Sequence, residues 1–195
     1  MTPEGRERIQ AMMKGFNRFE NVKARPLSER CLIGFGSTAG PPMMPVLYNN
    51  NYQIVQTADT IMILVEMVHD VRVIRMNQKH VPPEVRKWLG DSVGHWEGDT
   101  LVVDTANLNG KTWLGEGGEI VSHAEHVVER FTPTDSGTLQ YEATVTDPIV
   151  YARPWTMAFP MKREKFDLIE AACHEEDHDL PHLKALKDAA AAQKK

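Results

Sequence analysis

The chain has 195 residues, of which 42% are hydrophobic and 25% charged, and its net charge is −5. This length suits one domain with a sizeable core, and the acidic balance argues against nucleic acid as a partner. No apolar run approaches the ~20 residues that cross a bilayer, so membrane insertion is not expected. The first residues are polar and lack the apolar stretch of a signal peptide. We expect a cytoplasmic protein, or a periplasmic or secreted one whose leader has been replaced by an initiating Met.

Short strands joined by turns dominate the predicted elements. A helix is predicted from Pro3 to about residue 14, because Thr2 is a good N-cap and Pro a good first helical residue. After an irregular segment, strands are predicted over residues 53–57, 60–68 and 71–76, on both sides of Glu97-Gly98-Asp99, and over 125–132, 138–146, 155–161 and 166–173. A short helix over 84–88 and a C-terminal helix capped by Asp179 complete the set.

Eight or nine strands in succession predict an all-β, mainly antiparallel meander with short N- and C-terminal helices. We expect it to close into a calycin-like barrel or a strongly curled sheet. A barrel of about eight strands has room for one small ligand. The whole chain is expected to form a single domain, with an N-terminal helix and extension over 1–27, the barrel over 28–178, and a C-terminal helix with a frayed tail over 179–195.

Several charged residues lie inside the strand-like stretches, where an unpaired buried charge costs several kcal/mol. Glu66, His69, Asp70 and Arg72 cluster at one predicted hairpin, and Glu66 can pair with Arg72 across the two strands. One interpretation is a structural ion pair. The other is a general acid or base, Glu66, with His69 or Asp70 beside it.

The strand that contains His126 alternates between two faces. His126 shares a face with Arg130, whereas Glu129 lies on the other face. His126 is a hydrogen-bonded structural residue, a catalytic acid or base, or a metal ligand. His123 lies on the face opposite His126, so the two do not predict a joint metal site. If His126 lines a lumen, the carboxylate of an acid/base pair is therefore Glu66 and not Glu129.

Three further motifs have a weaker chemical interpretation. Arg153 and Trp155 place a cation beside an aromatic ring, which can clamp an anionic or aromatic ligand or can simply pack at a strand start. The segment from His174 to His178 fits the HExxH pattern of zinc proteases, but it follows a strand and does not lie in a helix. His174 can still contribute to a site at that strand end. The glycines of residues 34–40 precede Pro-Pro and not a helix, so nucleotide binding is rejected.

The chain contains two cysteines, Cys31 and Cys173. Their separation does not match the paired spacing of zinc ligands. Two buried thiols in a cytosolic protein and one disulfide in an exported protein both remain open.

Several stretches together resemble a family of uncharacterised, usually exported bacterial proteins. The most specific is Gly-His-Trp-Glu-Gly-Asp-Thr-Leu-Val-Val-Asp-Thr over residues 94–105. The others are residues 30–32, 52–57, 66–72, 90–92, 128–132, 153–156 and 172–175. The resemblance implies export and thereby favours a disulfide between Cys31 and Cys173. It also implies that His178 is incidental, because the relatives have no second His there, and it implies no particular activity.

The sequence favours a small-molecule enzyme, a lyase, isomerase or hydrolase, that uses general acid/base chemistry without a cofactor or metal. The predicted catalytic residues are Glu66, His69, Asp70 and His126, and the predicted substrate-binding residues are Arg72, Glu129, Arg130, Arg153, Trp155 and His174.

Two alternatives belong to other classes of protein. A non-catalytic, exported barrel that binds a small organic ligand would have an apolar lumen and paired strand charges. A structural or partner-binding sandwich would carry those charges on an open face. Long edge strands also leave a homodimer open.

Overall fold

A computed structural model describes residues 1–16, 27–28, 30–34, 40–46, 48–115, 120–169 and 180–192. Within these residues, eight strands form one sheet in which each strand lies beside its neighbours in the sequence. The strands are β1 (Tyr52–Gln56), β2 (Thr60–Val65), β3 (Val71–Met76), β4 (Asp91–Glu97), β5 (Thr100–Ala106), β6 (His126–Asp135), β7 (Thr138–Thr146) and β8 (Trp155–Lys162). Helix α1 (Pro3–Phe16) precedes the sheet and helix α2 (Leu180–Ala192) follows it. Neither of these helices is long and apolar enough to cross a membrane.

The sheet curls into a half-barrel, which confirms the predicted all-β, mainly antiparallel architecture. Among the described strands, β1 pairs only with β2 and β8 only with β7, so the sheet is open between β1 and β8. Helix α1 begins as predicted, because the Thr2 hydroxyl accepts a hydrogen bond from the Gly5 N–H. The turn between β4 and β5 also forms as predicted, with Gly98 at a φ of 60°.

One pair of strands departs from the antiparallel pattern, because β3 and β4 run parallel. The chain crosses from β3 to β4 through residues 77–90, and the short helix predicted over 84–88 is wrong. These residues form turns, and the backbone of Lys87 bonds to Asn107 and Asn109 beyond the end of β5.

The predicted ninth strand, over 166–173, is not found in its described part. Residues 166–169 join no strand, and the Ile169 N–H donates to the Glu66 carboxylate at 3.3 Å. Strand β2 is also shorter than predicted. It ends at Val65 because a 3-10 turn (Met67–His69) follows, in which Val68 has a φ of 59°.

The buried face of the sheet is its concave face, and strand register fixes which side chains lie on it. Its apolar residues form one core that includes Ile61, Ile63, Ile74, Leu101, Val103, Val127, Phe131, Ala143 and Val145. The segment 40–46 lies against the centre of this face. Met43 is fully buried and donates its N–H to the Tyr141 hydroxyl at 2.8 Å. A Cβ added at Gly40 would lie 2.8 Å from the Arg72 guanidinium, so the backbone approaches that side chain closely.

Candidate functional site

Arg72 and Glu129 form a fully buried ion pair at the centre of the concave face. Arg72 Nη1 donates to Glu129 Oε1 at 2.8 Å, and Nη2 contacts Oε2. Arg72 also donates to the hydroxyls of Ser92 and Thr105, at 3.0 and 2.9 Å, and Tyr141 donates to Glu129 at 2.8 Å. Burial alone would lower the pKa of Arg72, but the charge of Glu129 outweighs burial and raises the pKa. The pair is therefore satisfied by the protein itself.

The predicted pairing of Glu66 with Arg72 is wrong. Arg72 lies opposite Ile63 in the β2–β3 ladder, and its side chain points into the core. Glu66 lies beyond the last paired residue of β2 and is buried. It accepts hydrogen bonds from the Asn51 side chain at 2.6 Å and from the Ile169 N–H at 3.3 Å. The 3-10 turn after β2 displaces Glu66 from the register that a simple hairpin would give.

His69 and Asp70 lie in the same turn as Glu66 but do not assemble an acid/base pair with it. His69 is exposed, and Asp70 accepts a hydrogen bond from the Gly34 N–H at 3.0 Å. Burial raises the pKa of Asp70, and the Gly34 N–H partly offsets that rise. In the described part of the chain, no side-chain hydrogen bond joins these three residues to one another.

His126 and Arg130 share a face of β6 as predicted, but that face is the convex outside of the half-barrel. The predicted placement of both residues in a lumen is therefore wrong. Arg130 pairs with Glu97 at 2.7 Å on the surface. The alternation of β6 was correctly predicted, but sequence alone could not show which of its two faces the curl encloses. Glu129, which the sequence favours less than Glu66 as the carboxylate of an acid/base pair, is fully buried on the concave face.

His126 belongs to an array of four side chains on the convex face, which we call the Asp–His chain: Asp91, His80, Asp104 and His126. His80 contacts Asp91 through Nδ1 at 3.1 Å and Asp104 through Nε2 at 2.8 Å. His126 Nε2 contacts the same Asp104 oxygen at 2.9 Å. Among the described residues, no group of three or more His, Cys, Asp or Glu has a geometry suited to a metal ion.

The electrostatics of the Asp–His chain follow from these contacts. The hydrogen bond from His126 lowers the pKa of Asp104. Partial burial acts in the opposite direction, and the hydrogen bond from His80 lowers the pKa further. The same bond raises the pKa of His126. Burial by itself would raise the pKa of Asp91, but hydrogen bonds from Val81, His80 and Arg75 outweigh burial and lower it. Of these four residues, the sequence predicts only His126 as a site residue. His80 lies in an irregular crossover that has no periodic pattern, so local patterns do not indicate its contacts with Asp91 and Asp104.

Trp155 lies on the concave face and packs edge-on against Tyr151, with ring centres 5.8 Å apart. Arg153 is exposed. His174 and Cys173 lie outside the described residues, so the predicted role of His174 and the disulfide between Cys31 and Cys173 stay predictions.

Glu125 is a second carboxylate on the concave face that sequence reasoning did not single out. It is 2% exposed, and neither carboxylate oxygen has a hydrogen-bond partner in the described structure. Burial raises its pKa well above the ordinary value, and the charges of Asp147 and Glu129 add to the rise. Burial and the neighbouring negative charges therefore disfavour the ionised form of Glu125.

An apolar pocket of about 120 Å³ lies at one end of the half-barrel, beside the β1–β2, β4–β5 and β6–β7 turns. Its lining is Ile54, Gln56, Ile61, Ile63, Trp96, Asp99, Leu101, Phe131, Pro133 and Leu139. A larger groove of about 950 Å³ lies along the opening between β1 and β8 and shares Ile54, Pro133 and Leu139 with the pocket. The two spaces therefore adjoin.

Comparisons of the chain with protein-family models, curated proteins and solved structures found no match. The resemblance to exported bacterial proteins and the expected location in the cell accordingly stay predictions.

Proposed function

We propose that the protein binds a small molecule with an apolar part in the pocket at the end of the half-barrel. The observation that carries this proposal is the chemistry of the pocket walls. Apolar side chains of six strands surround a space that the core leaves unfilled, while Asp99 is the one ionisable residue of its lining. Ligand pockets are typically concave, mostly apolar and provided with a few polar groups.

The surroundings of the strand charges support binding over acid/base catalysis inside the half-barrel. Arg72 and Glu129 bond to each other, and Glu66 is held by Asn51. Of the residues predicted to line a lumen, Arg72 and Glu129 are the two that meet, and segment 40–46 lies over Arg72. Among the described residues, this arrangement leaves Arg72, Glu129 and Glu66 bonded to protein groups and not free as an acid/base pair for a substrate.

The volumes suggest the class of ligand. The pocket of about 120 Å³ is comparable to an apolar cavity of about 150 Å³ that takes up benzene. It therefore suits one ring or a short alkyl chain. The adjoining groove contains Asp135, Lys162 and Arg163 and accommodates a more polar remainder.

Trp96 provides a direct readout, because it lines the pocket and is half-exposed. N-phenyl-1-naphthylamine is an apolar fluorescent probe whose phenyl ring matches the pocket, while its naphthyl group extends towards the adjoining groove. Its binding can be followed by probe emission and by quenching of tryptophan emission, to which Trp96 contributes. Ile54→Trp fills the pocket from β1. We expect probe binding to weaken about tenfold, which corresponds to losing the burial of about two methylene groups.

Val73→Trp is the matched control. Ile54 is 45% exposed on the concave side and Val73 is 50% exposed on the convex side, so each substitution places the same large side chain at an equally exposed strand position. Trp suits strand positions, and both variants should fold. Equal affinity of the probe for the two variants would contradict the proposal.

A further inference from the structure

We propose a second site, on the convex face, in which His126 acts as a general base that removes a proton from water as the water attacks an ester. Asp104 and His80 are positioning residues for this base. The proposal is independent of ligand binding in the concave pocket, because it depends on the opposite face of the sheet.

The hydrogen bond to Asp104 leaves one ring nitrogen of His126, Nδ1, available to accept a proton from water. An ionised carboxylate only accepts hydrogen bonds, so the Nε2–H of His126 donates to Asp104 at 2.9 Å. In the neutral ring the unprotonated nitrogen is then Nδ1, which has no hydrogen-bond partner among the described residues. The His126 side chain is 43% exposed, so solvent and small substrates can reach it. This is the arrangement in which a carboxylate orients a histidine base.

Asp104 is itself held in position. Its Oδ1 atom also contacts Nε2 of His80 at 2.8 Å, and the other ring nitrogen of His80 contacts Asp91 at 3.1 Å. Asp91 is buried and bonded to Arg75 at 2.8 Å and to the Val81 N–H at 3.0 Å. A buried anchor therefore fixes a surface base through two intermediate side chains, an arrangement that a solitary surface histidine lacks.

Two cations of this face, Lys87 and Arg130, are already paired. Lys87 contacts Asp91 at 3.4 Å, and Arg130 contacts Glu97 at 2.7 Å. Asp104 is thus the carboxylate that contacts His126, and it raises the pKa of that ring. A higher pKa makes the neutral imidazole a stronger base.

The reaction balances without a co-reactant. Water forms a bond to the carbonyl carbon of the ester while its proton passes to His126 Nδ1. The tetrahedral intermediate then collapses, the bond from carbon to the leaving oxygen breaks, and the alcohol or phenol leaves with the proton that the imidazolium returns. The products are a carboxylic acid and an alcohol, and His126 is again neutral.

The test measures hydrolysis of p-nitrophenyl acetate as a function of pH. His126→Gln and Asp104→Asn should each lower the second-order rate constant about tenfold or more, within the range typical of general-base catalysis. In Asp104→Asn the acid limb of the pH–rate profile should also move to lower pH, because the group that raises the pKa of His126 is lost. A solvent deuterium isotope effect clearly above unity is expected.

The matched control is His95→Gln. His95 is also on the convex face, is 51% exposed and contacts a carboxylate, Glu97, at 3.3 Å. We expect it to retain the wild-type rate. Circular dichroism verifies folding. Because His126 and Asp104 are partly exposed, we expect His126→Gln and Asp104→Asn to have the spectrum of the wild type.

Four results would overturn the proposal: a wild-type rate in His126→Gln, an equal loss in His95→Gln, an isotope effect near unity that indicates direct attack by a ring nitrogen, or hydrolysis that requires added zinc and stops with a chelator. Ile54→Trp should leave the hydrolysis rate unchanged, which separates this proposal from ligand binding in the pocket.

Discussion

Two buried glutamates show how strongly the surroundings of a carboxyl group affect its hydrogen bonding and its pKa. Glu129 lies in β6, Glu125 immediately precedes that strand, and both are buried. Glu129 receives hydrogen bonds from Arg72 and Tyr141, whereas Glu125 receives none among the described residues. Glu129 is consequently part of an ion pair, whereas the surroundings of Glu125 disfavour its ionised form.

Removing one partner of the central ion pair should destabilise the protein more than removing both. Arg72→Met leaves Glu129 buried without its cation, and we expect a loss of about 3–5 kcal/mol in the free energy of unfolding. Arg72→Met combined with Glu129→Met should recover part of that loss. Urea unfolding of the two single variants and the double variant measures the coupling, and strictly additive losses would contradict a paired Arg72 and Glu129.

Glu125 should make stability fall with rising pH. Its folded-state pKa is raised well above the ordinary value, so the neutral acid stabilises the fold fully below the unfolded pKa of about 4.3. This contribution is lost as pH rises towards the folded pKa, at up to about 1.4 kcal/mol per pH unit. Glu125→Met should therefore gain stability relative to the wild type as pH rises above the unfolded pKa.

Thermal unfolding at a series of pH values checks this expectation, with Glu125→Gln as the isosteric control that cannot ionise. If the differences in melting temperature between the wild type and the two variants did not change with pH, Glu125 would be as ionised in the folded protein as in the unfolded chain.

At the scale of elements, the β3–β4 crossover is the feature that sets this sheet apart from a simple meander. Residues 77–90 carry the chain across so that β4 runs parallel to β3. Polar contacts at Asp91 hold this connection, since the Val81 N–H, His80 and Arg75 all bond to one carboxylate. A crossover of this length without a helix depends on such an anchor.

Asp91→Asn should weaken this anchor. Hydrogen bonds to a charged group contribute about 1.5–3 kcal/mol, and we expect a loss of that order near neutral pH. The folded-state pKa of Asp91 is lowered, so its contribution is present above the unfolded pKa of about 3.9 and disappears as pH falls through the folded pKa. The difference in free energy of unfolding between the wild type and Asp91→Asn should therefore disappear at acidic pH.

Hydrogen exchange supplies the local measurement for Asp91→Asn. The Val81 amide should lose protection in the variant, whereas amides of the β6–β7 ladder should lose protection only as far as global stability falls. Uniform loss across both regions would contradict a local anchoring role.

At the scale of the whole molecule, one core runs along the concave face from β2 to β8. The elements of this core were largely predictable, because hairpins such as the one around Gly98 depend on neighbouring residues. The long-range partners were not predictable. Arg72 meets Glu129 across 57 positions and His80 meets Asp104 across 24, and local patterns contain no information on either pair. The face that the curl encloses depends on all eight strands together.

A single core predicts a single unfolding transition. Trp96 lies at the pocket end of the half-barrel, whereas Trp155 packs against Tyr151 near the start of β8. In urea, the tryptophan fluorescence of Trp155→Phe and of Trp96→Phe should each have the same midpoint as the far-ultraviolet circular dichroism of that variant. Separate midpoints within one variant would show that the protein does not unfold in a single transition.

The contact between Met43 and Tyr141 also has a consequence for the newly made chain. Segment 40–46 leaves the ribosome before any strand of the sheet, yet the Met43 N–H finds its partner 98 positions later, in β7. Synthesis proceeds at about 5–20 residues per second, so the segment waits several seconds for the surface that it covers. The half-barrel is therefore completed late in translation, and until then its first strands expose apolar side chains that a chaperone can recognise.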